Sequence, residues 1–235
     1  LKLNQSLEYK VEERTKQLLE ANQRLEELSL TDALTSLPNR RSAMHHLHVC
    51  WTEAVQHQYP LVCIMIDADH FKVINDSCGH DAGDKVLIEL AHELKYAFRS
   101  DDIVCRLGGD EFLFICPIEH PHQAREIARR LLKEVEAPLN YQQIDLQSQG
   151  CLGIALYPQD STRSDDLIKK ADIAMYQAKQ FRSKQLTFYS PDMETENINR
   201  ISIEQQLIKA LNKQELEVWY QPQFDLNSNQ AKGAE

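Results

Sequence analysis

Several features that would place this chain in a common class of protein are lacking from its sequence. No apolar run approaches the roughly 20 residues that a membrane-spanning helix requires, and the first residues do not form a secretory signal. Basic residues are also few: the 235 residues include 26 lysines and arginines against 36 acidic residues, which gives a net charge of −10. Because a general nucleic-acid binder needs a basic face for the phosphates, we expect no nucleic-acid partner.

The six cysteines lack the Cys-x-x-Cys spacing, and four of them lie in apolar, strand-like runs. This pattern favours small buried side chains in a reducing compartment over a disulfide or zinc framework. Three histidines, His45, His46 and His48, have no matching ligand cluster and are interpreted as helix-surface residues. The chain begins with Leu1 rather than methionine, so we expect a piece of a longer cytoplasmic protein, with or without a membrane tether in a preceding region.

Residues 1–30 have the pattern of one long helix. Apolar side chains recur in steps of four and three, interrupted by one arginine, at Leu7, Val11, Arg14, Leu18, Ala21, Leu25 and Leu28. Such a seam is typical of a coiled coil, and we expect a parallel stalk that joins two protomers and carries a signal from an upstream domain. The alternative is a single amphipathic helix that lies on its own domain.

Helical and strand-like patterns alternate from residue 38 to residue 189. The predicted helices are about 38–57, 86–98, 122–136 and 165–181, and the predicted strands are 61–66, 103–107, 111–116, 150–157 and 185–189. One face of the first helix is expected to carry Met44, Leu47, Trp51 and Val55. The core order βαββαβ is the split pattern of ferredoxin-like folds. We therefore predict an α/β (α+β) domain with a mostly antiparallel central sheet flanked by helices.

The chain changes character after this region. Residues 190–199 are predicted to be an irregular linker, followed by a short helix at 203–211 and a strand at 216–220. This tail is too small to be a domain and is interpreted as the start of one.

Acidic residues lie at two places that the predicted topology brings together. Asp67 ends the first strand, and Asp110 and Glu111 follow the paired glycines Gly108 and Gly109 in a hairpin. Carboxylates that converge repel one another, so a bound cation is expected, and oxygen ligands without sulfur or imidazole suit magnesium, or manganese in its place. The glycines would let a substrate lie against bare backbone.

The stretch from residue 71 to residue 84 is predicted to be a polar loop, rich in amides, carboxylates and glycine. The amide of Asn75 can bond the acceptor edge of guanine, and the carboxylate of Asp84 can accept from its ring N–H and amino group. Lys72 can meet a phosphate as a point charge. Taken singly, each of these residues is also common in turns.

Three segments together resemble the signature of the GGDEF family of diguanylate cyclases. They are residues 32–40 (Asp-Ala-Leu-Thr-Ser-Leu-Pro-Asn-Arg), residues 67–84 and residues 108–112 (Gly-Gly-Asp-Glu-Phe), in matching order and spacing. The resemblance covers residues 31–190 and implies the palm fold of nucleotidyl cyclases. It also implies that two GTP molecules, held by two protomers, are condensed into cyclic di-GMP and pyrophosphate with magnesium.

The resemblance implies roles for the acidic cluster. Asp67 and Asp110 resemble the metal ligands of the family, with the backbone carbonyl of Ala68 assisting. Glu111 resembles a further metal ligand or the group that helps to activate the attacking hydroxyl.

The substrate-binding positions match the family except at one place. Asn75 and Asp84 resemble its guanine-reading residues, and Lys72 and Lys179 resemble its phosphate ligands. Where the family carries a second phosphate-binding arginine, this chain has Ser183, although Arg182 and Lys184 flank it. We therefore keep an alternative open, in which the domain binds GTP with little turnover and regulates a phosphodiesterase domain that follows.

Two further resemblances concern regulation. Arg99 and Asp102 form an Arg-x-x-Asp motif five residues before Gly108, as in the inhibitory product site of many diguanylate cyclases, and Arg129 or Arg130 could complete it. Residues 201–235, after a linker at 191–200, resemble the first segments of an EAL domain, the family that hydrolyses cyclic di-GMP. The expected partners are thus GTP, cyclic di-GMP as product and inhibitor, a second protomer, an upstream sensor domain and the remainder of the EAL domain.

Overall fold

The computed structural model describes residues 13–16 and 30–234, except residues 70, 100, 101, 142, 143, 147, 181–184, 226, 227 and 229. It divides into two compact units, Leu1–Ser190 and Pro191–Glu235. Residues 13–16 are helical, and the rest of the predicted stalk before residue 30 lies outside the described residues, so the coiled coil stays a prediction. Within the described ranges, no helix is long and apolar enough to cross a membrane.

The first unit contains every helix and strand predicted between residues 38 and 189, and three further elements. Its described helices are α1 (Arg40–His57), α2 (Phe71–Cys78), α3 (His80–Tyr96), α4 (Gln123–Val135) and α5 (Ser164–Gln180). Its described strands are β1 (Leu61–Asp69), β2 (Ile103–Gly108), β3 (Glu111–Pro117), β4 (Leu139–Tyr141), β5 (Ile144–Leu146), β6 (Gln149–Tyr157) and β7 (Leu186–Phe188). The three further elements are α2, β4 and β5.

A five-stranded sheet with the order β2-β3-β1-β6-β7 forms the centre of this unit. All neighbours are antiparallel except β6 and β7, which are parallel. The central strand β1 is covered on both faces, and Leu61, Val62, Cys63, Ile64 and Ile66 in it are fully buried, as expected for a continuous apolar run. The predicted α/β class, with a mostly antiparallel sheet flanked by helices, is confirmed.

Helix α1 packs on the sheet through a narrower face than the sequence pattern predicted. Asn39 caps its N-terminus by accepting a bond from the Ser42 backbone N–H, as short polar side chains do at this position. Leu47 is buried as predicted, together with Ala43 and Ala54. Met44 and Val55 on the predicted apolar face are exposed, and small alanines pack against the sheet beside Leu47.

The predicted polar loop between residues 71 and 84 is helical. It contains α2 and the first turn of α3, separated by Gly79 with a φ of +88°. Ile74 and Ala82 from the two helices are buried against Leu146 of the β4–β5 hairpin, an element that the sequence pattern did not indicate. This small apolar cluster explains why a segment rich in turn residues is nevertheless helical, since burial outweighs weak local propensity.

The cysteines and histidines lie where the sequence pattern places them. Four cysteines are buried, Cys50 is half-buried and Cys78 is exposed. Burial raises the pKa of the Cys105 thiol to about 12, so this thiol behaves as a small apolar side chain. His45, His46 and His48 are exposed on α1.

The second unit differs from its predicted secondary structure. One helix, α6 (Asp192–Asn212), replaces the predicted irregular linker and short helix. The predicted strand at 216–220 is also wrong: this stretch has no regular structure, and Val218 and Trp219 are 78% and 85% exposed. Strands β8 (Pro222–Phe224) and β9 (Ala231–Ala234) pair with each other instead. A strand requires a partner for its backbone groups, and the described residues of this unit offer none to residues 216–220.

Candidate active site

The acidic residues singled out in the sequence meet at one edge of the central sheet. In the β1–β3 register Asp67 lies opposite Glu111. The backbone N–H of Ala68 donates to the Asp110 carbonyl over 3.1 Å, which ties the end of β1 to the β2–β3 hairpin. Asp67 is only 2% exposed, while Asp110 and Glu111 are half-buried. The structure thus brings together all four positions predicted to bind metal.

The hairpin owes its shape to two glycines. Gly108 and Gly109 have φ angles of +146° and +55°, which non-glycine residues rarely adopt. A Cβ built on either glycine would meet no described atom within 4 Å. Backbone conformation rather than crowding therefore selects glycine here, and the backbone is accessible from outside.

Arg106, which the sequence reasoning did not single out, holds this hairpin in place. Its Nε and Nη2 donate to the Gly109 carbonyl over 3.0 and 2.7 Å. Its Nη1 lies 2.7 Å from Oδ1 of Asp32, and Arg106 itself is 9% exposed. The sequence shows Arg106 as the one charged residue in the otherwise apolar strand from Ile103 to Leu107. Because buried charges are normally paired, this position could have indicated a structural ion pair.

Asp32 links the hairpin to the segment that precedes α1. Besides Arg106, its carboxylate accepts from the backbone N–H and the hydroxyl of Thr35 over 2.8 and 2.7 Å. Burial alone would raise the pKa of Asp32, but the bonds from Thr35 and Arg106 outweigh it and hold the pKa below its ordinary value of 3.8. The carboxylate therefore stays ionised and bound to Arg106 at neutral pH.

A lysine from the helix behind the sheet reaches the buried aspartate. Lys179 is in the last turn of α5, and its Nζ lies 2.6 Å from Oδ2 of Asp67. The side chain of Lys179 is 34% exposed, against 2% for Asp67. Of the two predicted phosphate ligands, only this one has a described side chain: Lys72 lies on α2, but its side chain is outside the described part, as are residues 181–184 with Ser183.

The two predicted guanine-reading residues lie on neighbouring helices. Asn75 is on α2, and Asp84 is exposed near the start of α3. A Cβ on Gly83 would come within 2.0 Å of Oδ1 of Asn75, so the Asn75 amide lies directly against α3 beside Asp84. This Oδ1 is buried and accepts no hydrogen bond from the described residues, which in a native protein calls for a ligand or water partner.

The predicted inhibitory motif lies in a separate cleft of about 650 Å³. Arg99, Asp102 and Arg130 line it together. The guanidinium of Arg130 lies 4.8 Å above the ring of Phe98, which keeps this cation oriented by a cation–π contact. Oδ2 of Asp102 accepts from the Arg99 backbone N–H over 3.0 Å, so the first and last residues of the motif are bonded to each other. Arg129 is exposed on α4 and does not line the cleft.

Residues 29–185 match the family described as diguanylate cyclase, GGDEF domain. The chain belongs to the GGDEF family. Relatives include the bifunctional diguanylate cyclase/cyclic di-GMP phosphodiesterase MucR of Pseudomonas aeruginosa, 33% identical over 205 residues that form 87% of this chain and 30% of MucR. The diguanylate cyclase TpbB of the same species is 39% identical over 150 residues, 63% of this chain and 34% of TpbB. This chain therefore spans about a third of these relatives.

Solved GGDEF domains have the same fold. The TpbB GGDEF domain superposes with a TM-score of 0.67 at 34% identity, covering 70% of this chain and 97% of that one. The coiled coil and GGDEF domain of DgcB from Caulobacter crescentus, in complex with cyclic di-GMP, superposes with a TM-score of 0.61 at 26% identity. That comparison covers 78% of this chain and 99% of the DgcB chain.

Proposed function

We propose that this GGDEF domain is a diguanylate cyclase, which condenses two GTP molecules into cyclic di-GMP and two pyrophosphates. The observation that carries this proposal is the convergence of Asp67, Asp110 and Glu111 at one sheet edge, beside an accessible glycine backbone. Carboxylate and carbonyl oxygens suit a hard divalent cation, so the donor set fits magnesium, or manganese in its place. Relatives named diguanylate cyclase support the same reaction.

The proposed roles of the residues are in line with this placement. Asp67 and Asp110, with the Ala68 carbonyl, would hold the cation, which supplies charge stabilisation at the triphosphate. Glu111 would accept the proton of the 3′-hydroxyl as its oxygen attacks the α-phosphorus of the GTP on a partner protomer. One P–O bond forms, the bond to pyrophosphate breaks, and a second such step closes the ring. Each protomer supplies half of the site, so catalysis requires a dimer.

The remaining site residues would bind and orient the substrate. Asn75 lies against Gly83, the residue that precedes Asp84 in α3, and we assign to these two side chains the pairing with a guanine edge. Lys179 and Lys72 would bind phosphate oxygens as point charges. The exposed backbone of Gly108 and Gly109 allows the triphosphate to approach closely.

A second candidate function rests on Ser183, which stands where the family carries a phosphate-binding arginine. Without that cation the domain would bind GTP, turn it over slowly and regulate a phosphodiesterase domain. Incubation of the protein with GTP and magnesium, followed by nucleotide separation, distinguishes the two functions. Cyclic di-GMP formation supports the cyclase, whereas GTP binding without product supports the regulatory module.

The catalytic assignment is tested by Asp110→Ala. This change removes a cation ligand and also a repulsive charge, so we expect loss of product formation with the fold retained. Asp165→Ala, which removes an exposed carboxylate from α5, serves as the control and should leave product formation unchanged. Near-normal product from the Asp110 variant would refute the assignment.

We also propose that the cleft beside Arg99 and Asp102 binds the product and inhibits the enzyme. Arg99 can bind a phosphate bidentately, Asp102 can accept from a guanine edge, and Arg130 adds a second cation on the same wall. Calorimetric titration with cyclic di-GMP should show binding that Arg99→Ala abolishes while GTP binding persists. Arg129→Ala, an arginine loss outside the cleft, is the matched control, and equal losses in both variants would argue against the site.

The tail is proposed to begin an EAL phosphodiesterase domain. The MucR match covers 205 residues of the chain, whereas the first unit ends at residue 190, so the match extends into residues 191–235. The TpbB match covers only 63% of the chain. Large apolar residues of the second unit are exposed, among them Ile203, Ile208, Leu216, Val218 and Trp219. Such exposure fits a surface that further chain covers. We propose domain boundaries of 31–190 and 201–235, with residues 191–200, which include the first part of α6, as a helical linker between them.

A further inference from the structure

The ion pair between Lys179 and Asp67 joins two residues to which the proposed function gives different partners. Asp67 would hold the divalent cation, and Lys179 would bind the triphosphate. In the structure Lys179 Nζ lies 2.6 Å from Oδ2 of Asp67, within the distance of a charge-assisted hydrogen bond. The amine therefore lies in the coordination sphere that the cation would need.

The burial of Asp67 explains why it requires such a partner. With 2% exposure, an ionised carboxylate without a counter-charge would be strongly unfavourable. Lys179 supplies this charge from a flexible four-carbon side chain, whose 34% exposure leaves a route toward solvent. The pair thus consists of one fixed, buried partner and one that can move.

A divalent cation at Asp67 would lie within a few ångström of the ammonium group. Two like charges at that distance repel by several kcal/mol even in a medium of intermediate dielectric constant. Lys179 must leave when the cation binds, and in water alone it has no anionic partner in place of Asp67. A bound triphosphate offers it new anionic partners beside the site.

We propose that Lys179 is an internal counter-ion of Asp67 that makes cation binding depend on the nucleotide. Free cation competes with Lys179 and binds weakly, whereas a cation–GTP complex brings phosphates that receive the displaced lysine. Cation and nucleotide then enter together, and the site does not fill with metal in the absence of substrate. This inference rests on the proposed function for the identity of the cation and the nucleotide.

The test measures the binding of free Mn²⁺ to the protein without nucleotide. Electron paramagnetic resonance detects the bound fraction of the ion. In Lys179→Met the competitor is gone, and we expect at least about tenfold tighter binding of free Mn²⁺ than in the wild type. The same variant should bind the Mn²⁺ complex of a non-hydrolysable GTP analogue more weakly, because a phosphate ligand is lost. Opposite shifts in one variant are the signature, which a merely structural lysine would not produce.

Lys169→Met is the matched control, since it removes one exposed lysine from the same helix and changes the net charge equally; both affinities should stay at the wild-type value. If the methionine variant does not fold, Lys179→Gln replaces it in the test, because glutamine keeps a hydrogen-bond donor for Asp67. We expect its two Mn²⁺ affinities to change in the same directions.

The outcomes separate this inference from the proposed function. Unchanged or weaker free Mn²⁺ binding in the Lys179 variants, with nucleotide-bound Mn²⁺ still held by the wild type, would overturn the counter-ion role alone. If the wild type bound neither Mn²⁺ nor its nucleotide complex, the proposed cation site and this inference would both be overturned.

Discussion

At the scale of single residues, Gly83 shows how closely the proposed guanine-binding part of the site is packed. A Cβ at this position would lie 2.0 Å from Oδ1 of Asn75 and 2.9 Å from Cε2 of Phe71. Both distances are shorter than any real contact, so an added methyl group must displace the Asn75 amide.

We expect Gly83→Ala to weaken GTP binding by at least about tenfold, because a misplaced reader leaves polar groups of the base unpaired. Alanine is favoured over glycine within a helix, which offsets part of the cost of crowding, so the free energy of unfolding should fall by about 1–2 kcal/mol. Calorimetric titration with a non-hydrolysable GTP analogue measures the affinity. Gly233→Ala, where the new methyl group would have only an ordinary contact at 3.8 Å, is the control. Wild-type affinity in the Gly83 variant would show that Asn75 does not contact the base.

The Asp32–Arg106 pair makes a pH-dependent contribution to stability. Because the folded-state pKa of Asp32 is lowered below 3.8, the contribution is present above that value and is lost as the pH falls through the folded pKa. Asp32→Asn should therefore lower the free energy of unfolding by about 2 kcal/mol near neutral pH. The difference from wild type should shrink as the pH falls below 3.8.

Urea unfolding of both proteins over this pH range measures the effect, with the exposed Asp165→Asn as a control that should behave like the wild type. A difference that did not depend on pH would contradict the role of the charged pair. Since Arg106 also holds the Gly109 carbonyl, the Asp32 variant should in addition form product more slowly.

At the scale of elements, helix α5 and strand β6 approach each other at a glycine. A Cβ on Gly153 would lie 2.0 Å from the Met175 backbone N and 2.1 Å from the Ala171 carbonyl oxygen. Backbone atoms of a helix cannot move singly, so the whole helix would have to shift, and with it Lys179 in its last turn.

We expect Gly153→Ala to lower the free energy of unfolding by about 3 kcal/mol or more, at the upper end for overpacked cores. Gly150→Ala in the same strand is the matched control, because its methyl group would meet only the side chains of Val135 and Leu132, at 2.8 and 3.0 Å. These can rotate, so a cost of about 1–2 kcal/mol is expected there. Denaturant unfolding compares the two, and equal costs would contradict the close helix–strand contact.

The elements that the sequence pattern missed share a physical cause. Apolar residues recur with a clear period in strands β1 and β6 and in helix α4. The predicted ends of these elements are therefore within a few residues of the observed ends. Helix α2 is short, and its residues are typical of turns, so only its burial against α3 and the β4–β5 hairpin reveals it. The stretch at 216–220 shows the opposite error, since apolar alternation predicts a strand but cannot supply the neighbouring strand that it requires.

At the scale of the whole molecule, the proposed cyclase needs two protomers, and the predicted stalk at residues 1–30 would join them. Deletion of residues 1–28 should reduce product formation at low protein concentration, with partial recovery at high concentration, because association of the domains then becomes bimolecular. Initial rates over a dilution series measure this. A specific activity that is independent of concentration in both proteins would refute the dimerising role of the stalk.

The sequence by itself determined the family and named the candidate site residues. Motif spacing and residue chemistry depend only on the order of amino acids, so Asp67, Asp110, Glu111, Asn75 and Asp84 could be named without coordinates. The sheet class followed as well, because apolar periods report which faces must be buried.

The tertiary structure alone decided which residues support that site. Arg106 and Asp32 are 74 positions apart, and Lys179 and Asp67 come from a helix and a strand distant in the chain. No local pattern encodes such pairs, because they arise where separately formed elements pack and where each buried charge must find a partner. The lack of space for a side chain at Gly83 and Gly153 likewise arises only when two elements lie against each other. The sequence pattern therefore does not reveal why these two positions require glycine.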